Sequence, residues 1–352
     1  MRENMKSTVD VVIPCYNYAR YLRGCVNSVL SQSGMNVRVL VIDDASSDDT
    51  PIVGGELASS HSTVHFRRHE QNKGHIATYN EGLLEWSTGD YVVLLSADDM
   101  LAPGSLSRAV QVMETDPSIG LVYGRAIHFR DEAELPCVKS ERIMHTSWRG
   151  TEWLQLRCRA GYNVITSPEV VVRGSIQRQV GGYNPDLPHA GDLEMWLRIA
   201  AVSNIAHIRR VPQAFYRVHS DSMMRTTFRG SFVDLRQRKA AFDSFFSRCR
   251  PSREDLSLLQ NSAYRSLARE ALWDACRAYD RNDQSLSHVA ELEEFALKAY
   301  DQTTSLPEYR ALRRRRRLGP VLCNRTQVFA APALARKVHR WALKARWQRW
   351  GV

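Results

Sequence analysis

Two pairs of adjacent aspartates, Asp43-Asp44 and Asp98-Asp99, each follow an apolar run directly. A strand ending in such a pair fixes the position of its carboxylates, and hard divalent cations select oxygen ligands of this kind. Asp98-Asp99 is read as the cation site, because a hydrophobic strand precedes it and Pro103-Gly104 follows. A turn or helix-cap acid is the structural alternative for either pair, and Ser46-Ser47 supplies the turn that Asp43 or Asp44 would cap. A third acid, Asp192, stands just ahead of Leu193, Trp196, Leu197 and Ile199 at helical spacing. It is an N-cap by pattern, and a cap at a helix mouth can also present its carboxylate to a cleft as a general base.

The elements that must position these acids alternate in type. Val9–Ile13, Val37–Ile42, Val64–Arg67, Tyr91–Leu95 and Ile119–Tyr123 read as strands. Between them, Leu22–Leu30, a segment opened by Thr50-Pro51, Ile76–Trp86 and Ser105–Glu114 read as helices. Strands separated by helices imply an α/β fold with a doubly wound, mostly parallel sheet. Ligands of such sheets gather at the carboxyl ends of strands. Cys15-Tyr16-Asn17, Asp43-Asp44 and Ser96–Asp99 all fall there. Further on, Glu152–Arg159 and Leu193–Val202 read as helices, Val170–Val172 as a strand and Phe215–His219 as a loop or short strand. Phe232–Tyr300 is helical with breaks near Pro251 and Arg281–Asp283, so a helical extension follows the sheet.

Composition is that of a globular chain: 352 residues, 43% hydrophobic and 24% charged, long enough for a catalytic domain and an appendage. Seven cysteines, an odd number without CxxC spacing, argue against a disulfide scaffold or zinc site and favour a cytoplasmic setting. No stretch reaches the roughly 18 apolar residues of a spanning helix. From Ala311 to Val352 there are ten Arg, two Lys and no acid, more positive charge than the whole chain's net +10, so the basic character belongs to a tail.

The stretches VVIPCYN (11–17), VIDDASSDDT (41–50), NKGHIATYNEGL (72–83), GDYVVLLSADD (89–99) and AGDLEMWLR (190–198) together resemble glycosyltransferase family 2, over roughly residues 8 to 222. The resemblance implies a GT-A fold and an inverting transferase that uses a nucleotide-diphosphate sugar, a glycan or lipid-linked acceptor, and Mn²⁺ or Mg²⁺. On it, residues 1–125 form the nucleotide-sugar half, 126–225 the acceptor half, 226–310 the helical extension and 311–352 the basic tail. Pro14, Tyr16, Asn17, Asp43, Asp44, Asn72, Gly74, Ser96, Ala97 and Asp98 fall at its donor-binding positions. Tyr16 offers a face to the base or packs in the core. Asp44 suits an imide N–H such as that of uracil. Gly74 allows a positive φ or close approach, or is a plain loop glycine. The usual Asp-x-Asp is altered, since Ser96 takes the place of the first acid; the metal then falls to Asp98 and Asp99, with the direct ligand open between them. His219, in YRVHSDS (216–222), resembles a late motif returning to the diphosphate, as a third metal ligand or, with Arg217, a phosphate contact. Asp192 matches the position of the acidic base.

The resemblance leads to a transferase acting in cell-surface polysaccharide or glycoconjugate synthesis, with UDP as the expected nucleotide. A catalytically degenerate relative that binds a partner or membrane is the competing reading, and Ser96 is its support. In the tail, Leu334, Val338, Trp341 and Ala345 share one helical stripe, and Leu343, Trp347 and Trp350 another, with Arg and Lys between. Tryptophan beside arginine suits peripheral contact with anionic lipid at the inner face of a membrane. Nucleic acid is not the expected partner.

Overall fold

A computed structural model describes residues 6–138, 143–219, 231–248, 253–282, 286–326 and 329–352. The described chain divides into two compact units, one drawn from residues 1–153, 164–226 and 349–351, the other from 154–163, 227–348 and 352.

The sheet of the first unit is built around β1 (Thr8–Cys15), whose Val9, Val11, Val12 and Ile13 are all buried. Burial on both faces is why Val11–Ile13 are apolar without alternation, and the one charged residue of the strand, the buried Asp10, is paired with Arg38. Parallel to it lie β2 (Asn36–Asp43) on one side and β4 (Tyr91–Leu94) on the other, with β3 (Val64–Arg68) parallel to β2. The helices between them are α1 (Ala19–Leu30), α2 (Thr50–Ser60) and α3 (His75–Asn80), the last running into a π-helical turn over Glu81–Trp86. The segment read as one helix over Ile76–Trp86 is therefore two kinds of helix. Gly82 lies so close to β1 that a Cβ there would stand 2.2 Å from Val12 Cγ1, which only glycine allows.

The other half of the sheet departs from simple winding. Its remaining strands are β5 (Met100–Leu101), β6 (Ile119–Phe129), β7 (His145–Trp148), β8 (Val171–Arg173) and β9 (Asn204–Arg217). The order is β3-β2-β1-β4-β8-β6-β9-β5, with β7 also paired to β9. β8 is antiparallel to both β4 and β6, β5 and β7 are antiparallel to β9, and β6 pairs in parallel with β9. α4 (Ser105–Thr115), α5 (Gly150–Ala160), α6 (Gly174–Val180) and α7 (Gly191–Val202) complete the order. β6 runs without a break across position 125, where the sequence pattern suggested a division. Phe215–Arg217, read as a loop or short strand, is the end of the 14-residue β9. Its start was hidden because Arg210, at φ 69°, and Pro212 interrupt the pattern where the pairing with β6 shifts register.

The second unit is helical, with helices at Ser231–Arg248, Arg253–Arg281, Leu286–Ala299, Pro307–Thr326 (broken at Gly319, φ 77°, ahead of Pro320) and Ala330–Trp350. Pro251 and Asp283, two of the expected breaks, lie outside the described residues. No interruption falls at 311, for the helix Pro307–Thr326 carries the arginine run. Arg315 is buried in a two-pronged ion pair with Asp280 (2.8 and 3.0 Å), and Arg316 pairs with Glu293. The run is thus partly structural, not a solvated linker throughout.

Candidate active site

The carboxyl ends of β1, β2 and β4 bring three loops together. Asn17, held at φ 58°, ties the first two: its Oδ1 accepts from Ser47 N (2.8 Å) and its N–H donates to Ser46 Oγ (2.9 Å). Asp43 is fully buried and accepts from Ser46 N (2.9 Å), so it shapes the turn, the structural alternative for that residue. Asp44 organises the third loop: Oδ1 accepts from Lys73 N (2.8 Å) and faces His69 Nδ1 (2.7 Å), while Oδ2 accepts from Gly74 N (2.9 Å). A carboxylate oxygen accepts twice, so Oδ2 keeps one lone pair for a further donor. Asn72 closes the same loop, donating to Asp44 O and accepting from Gly74 N. Gly74 sits at φ 83°, and nothing lies within 4 Å of where a Cβ would stand, so backbone conformation and not close approach requires glycine here. Tyr16 is 49% exposed, which removes it from the core, while Pro14 is half-buried at the end of β1.

Behind this loop lies a cluster that the sequence pattern did not reveal. His69 Nε2 faces Glu81 Oε2 at 2.9 Å, and Arg67 and Lys73 pair with the same carboxylate (2.7 and 2.9 Å). Burial works to raise Glu81, but these partners outweigh it and hold the carboxyl down at about 2. The signal was obscure because the four residues come from a strand, a loop and a π turn.

At the end of β4 the two adjacent acids separate in role. Asp99 is buried and accepts from the backbone N–H of Arg217 (2.9 Å), fastening the turn to the end of β9. Burial, then the charge of Asp98, raises it well above the usual carboxylate range. Asp98 is only partly buried, and its Oδ2 lies 2.9 Å from His219 Nε2. The His219 ring packs against Tyr18 and Tyr21, each with centroids 5.5 Å away, and its buried Nδ1 has no partner among the described residues. Ser220–Ser222 of the same motif lie outside those residues. Arg217 is not available to a phosphate: it donates to Asp98 O (2.9 Å) and Glu132 Oε1 (2.5 Å), and its guanidinium lies 4.4 Å from the ring centres of Tyr21 and Phe129. Ser96 is partly buried, and its carbonyl accepts from Asp99 N to close the turn. Ala97 is buried in the core, so its methyl group cannot line a donor site.

Asp98 and His219 offer a carboxylate oxygen and an imidazole nitrogen at one point, which fits a divalent cation. Among the described residues no group of three such ligands forms. Two protein ligands suffice for a cation whose remaining positions belong to water and substrate phosphates. The sequence-level set of Asp98, Asp99 and His219 thereby contracts to Asp98 and His219, because Asp99 points inward to β9.

Asp192 opens α7. Its Oδ2 accepts from Ser167 Oγ (2.5 Å), and the Tyr183 hydroxyl donates to the same carboxylate. Burial raises its pKa from the ordinary carboxylate value, although these two bonds and the nearby His75 and His189 oppose the shift. A base with a raised pKa holds a proton more strongly at neutral pH, which is what general-base catalysis requires. Tyr183 is placed by Asn80, whose Oδ1 accepts from Tyr183 N (2.6 Å) and whose Nδ2 donates to Tyr183 O (2.9 Å). Neither Ser167 nor Tyr183 carries a local signal in sequence. Glu194 is buried in an ion pair with Arg198 (2.8 Å), which in turn donates to Val180 O and Gly182 O, so this acid is structural. Trp196 is buried against Tyr183 and belongs to the core. His75 packs on Tyr79 (5.4 Å) and lies 3.0 Å from Pro188 O, a more committed position than a solvated helix start. Burial and then the charges of Asp192, Asp98 and Asp99 raise the Tyr79 phenol, so both poles of the site act on this one side chain.

Two consequences are measurable. Asn80→Ala leaves both main-chain groups of Tyr183 without their side-chain partners and is expected to cost about 2 kcal/mol, read as a lower urea midpoint. An unchanged midpoint would mean that water replaces the amide at no cost. The second concerns Glu169, beside Ser167 in a single 3-10 turn. Burial pushes this carboxyl up to about 8 against two backbone hydrogen bonds, and its Oε2 has no partner among the described residues. The unfolded chain releases this proton near 4.5, so the stability carried by the neutral carboxyl is complete below 4.5 and is lost as pH rises toward about 8. The slope is on the order of 1 kcal/mol per pH unit. Glu169→Gln should flatten the fall of the urea midpoint across that window, and an identical fall in the variant would exclude Glu169 as its source.

Comparison with known proteins places this geometry. Residues 10–171 match the model described as Glycosyl transferase family 2. Chondroitin synthase of Escherichia coli is 25% identical over 210 residues, which cover 58% of this chain and 28% of that protein. The chain spans from about a third to about two thirds of the first curated relatives it matches, with coverages of 35%, 66% and 65%. Among solved structures, S. aureus TarS 1–349 in complex with UDP-GlcNAc has a TM-score of 0.63 at 14% identity, covering 84% of this chain and 81% of that one. The mannosyltransferase PcManGT from Pyrobaculum calidifontis, in complex with GDP-Man and Mn²⁺, has a TM-score of 0.54 at 18% identity, covering 91% and 88%. With a sheet of this topology and acids at the carboxyl ends of its strands, the first unit has a GT-A fold, and its residues 10–171 match glycosyl transferase family 2.

Proposed function

We propose that this chain is an inverting glycosyltransferase that moves a sugar from a nucleotide-diphosphate donor, with UDP as the nucleotide, to a hydroxyl of a glycan or lipid-linked acceptor in cell-surface polysaccharide or glycoconjugate synthesis. The observation that carries the reading is Asp192: a carboxylate at a helix mouth, raised by burial and aimed by Ser167 and Tyr183. In the transfer step the acceptor O–H proton passes to Asp192 as its oxygen attacks the anomeric carbon. The bond from that carbon to the diphosphate oxygen breaks, and its electron pair leaves with the nucleotide. A divalent cation such as Mn²⁺ or Mg²⁺, bound by Asp98 and His219, would supply neutralising charge for the diphosphate. Asp44, with its remaining acceptor position, and the Asn72–Gly74 loop form the nucleotide end, and Tyr16 offers an exposed ring to the base.

Ser96 supports a degenerate, non-catalytic relative only if the metal site needs the missing acid. Asp98 and His219 meet without it, which favours the enzyme. Incubation with a panel of UDP- and GDP-sugars and Mn²⁺ or Mg²⁺ should give slow donor hydrolysis with one of them. Failure to bind or hydrolyse any donor, with and without cation, would leave the non-catalytic reading in its place.

A further inference from the structure

The helix Ala330–Trp350 settles which of its two apolar stripes faces outward. Leu334, Val338 and Trp341, spaced i, i+4 and i+7 on one face, are 62%, 57% and 71% exposed. The other stripe is less exposed: Leu343 and Trp347 are half-buried, and Trp350, 39% exposed, has the Arg209 guanidinium 4.3 Å from its ring. In the same helical unit, Val321 of Pro307–Thr326 is also exposed, at 61%. Large apolar side chains are not left in water as a contiguous face without a partner. Lys337 and Arg346 of the same helix are exposed, as are Arg317 and Arg325 of Pro307–Thr326, and no acid occurs from 311 to 352. None of the described helices is long and apolar enough to cross a membrane.

We propose that Leu334, Val338 and Trp341 form a docking face for an anionic lipid surface, on which the helix lies in the plane of the headgroups. An aliphatic and indole stripe buries in the acyl boundary while Lys and Arg beside it meet lipid phosphates. Nucleic acid is a poorer fit. Leu334 and Val338 offer it neither charge nor stacking, and the arginine run that would track a phosphate backbone is interrupted by the pairing of Arg315 and Arg316 with Asp280 and Glu293. The inference stands apart from the transfer chemistry.

The test is co-sedimentation of the full chain with vesicles of phosphatidylcholine alone or containing phosphatidylglycerol. Binding to the anionic vesicles is expected to be at least about tenfold tighter and to weaken with salt. Leu334→Ser/Trp341→Ser should weaken it about tenfold or more. Lys337→Glu/Arg346→Glu, which changes only exposed charge, should do the same and guards against misfolding of the first variant. Binding that ignores lipid charge, or that survives both variants, would overturn the proposal. So would a stripe variant that dissociates a dimer in vesicle-free sedimentation velocity, which would assign the face to a second copy, or charge-dependent binding to DNA with none to vesicles.

Discussion

Asp192→Asn is expected to lower the rate of sugar transfer by about 10³-fold while leaving donor affinity nearly unchanged. The amide keeps the size of the carboxylate and can still meet Ser167 and Tyr183, so the local fold should hold. What it lacks is the capacity to take a proton, and removal of a positioned general base typically costs 10²- to 10⁴-fold. The effect should appear in kcat, not in binding of the nucleotide diphosphate, because a general base acts on the acceptor. A companion measurement gives the base a signature. Only ionised Asp192 accepts the proton, so kcat/KM should rise with pH along a limb set by this group, which burial shifts upward from the ordinary carboxylate value. Ser167 opposes that shift, and Ser167→Ala should therefore move the limb to still higher pH. An active Asp192→Asn enzyme, or a limb indifferent to Ser167, would remove Asp192 from the role.

The second large effect is expected at the other pole. Asp98→Ala should abolish the cation dependence of nucleotide-diphosphate binding and reduce transfer by about 10²-fold or more, the scale expected when electrostatic stabilisation of a leaving group is lost. His219→Ala should act in the same direction, since its Nε2 meets Asp98 Oδ2 at 2.9 Å. Asp99→Asn separates the two adjacent acids. Asp99 receives the Arg217 N–H and is already raised by burial, so the neutral amide should retain cation-dependent binding. The readout is titration calorimetry with UDP in the presence and absence of Mn²⁺. Loss of binding in Asp99→Asn with retention in Asp98→Ala would reverse the assignment.

The structure also explains how so few residues form a site. Asp98 and Asp99 differ by one position at a strand end, so the side chains diverge: one stays at the cleft beside His219 and the other turns inward to β9. Asp43 and Asp44 divide in the same manner, one into its own turn and the other to the Asn72–Gly74 loop. In each pair one acid fastens its own turn or the end of β9, and the other reaches a second loop or His219.

Much of this was legible in residue order. The buried strands announced themselves because a strand covered on both faces must be apolar throughout, and their polar ends followed directly. The five short motifs carried the family, and Asp192 could be singled out because an acid before an apolar helix has a local pattern. Residue order could not reveal which acid of each pair is engaged, since that depends on what faces it: Arg217 N for Asp99, Lys73 and Gly74 N for Asp44. Nor could it pair Asn80 with the main chain of Tyr183, 103 positions away, bring the Tyr183 hydroxyl to Asp192, or bury Glu169 beside Ser167. The long β9 escaped notice because Arg210 and Pro212 break its periodicity, and only pairing with β6 restores the strand. Local pattern records what a residue prefers along the chain. Partners, burial and hence proton affinity are set by contacts across it, and those arise only when the sheet and its helices close together.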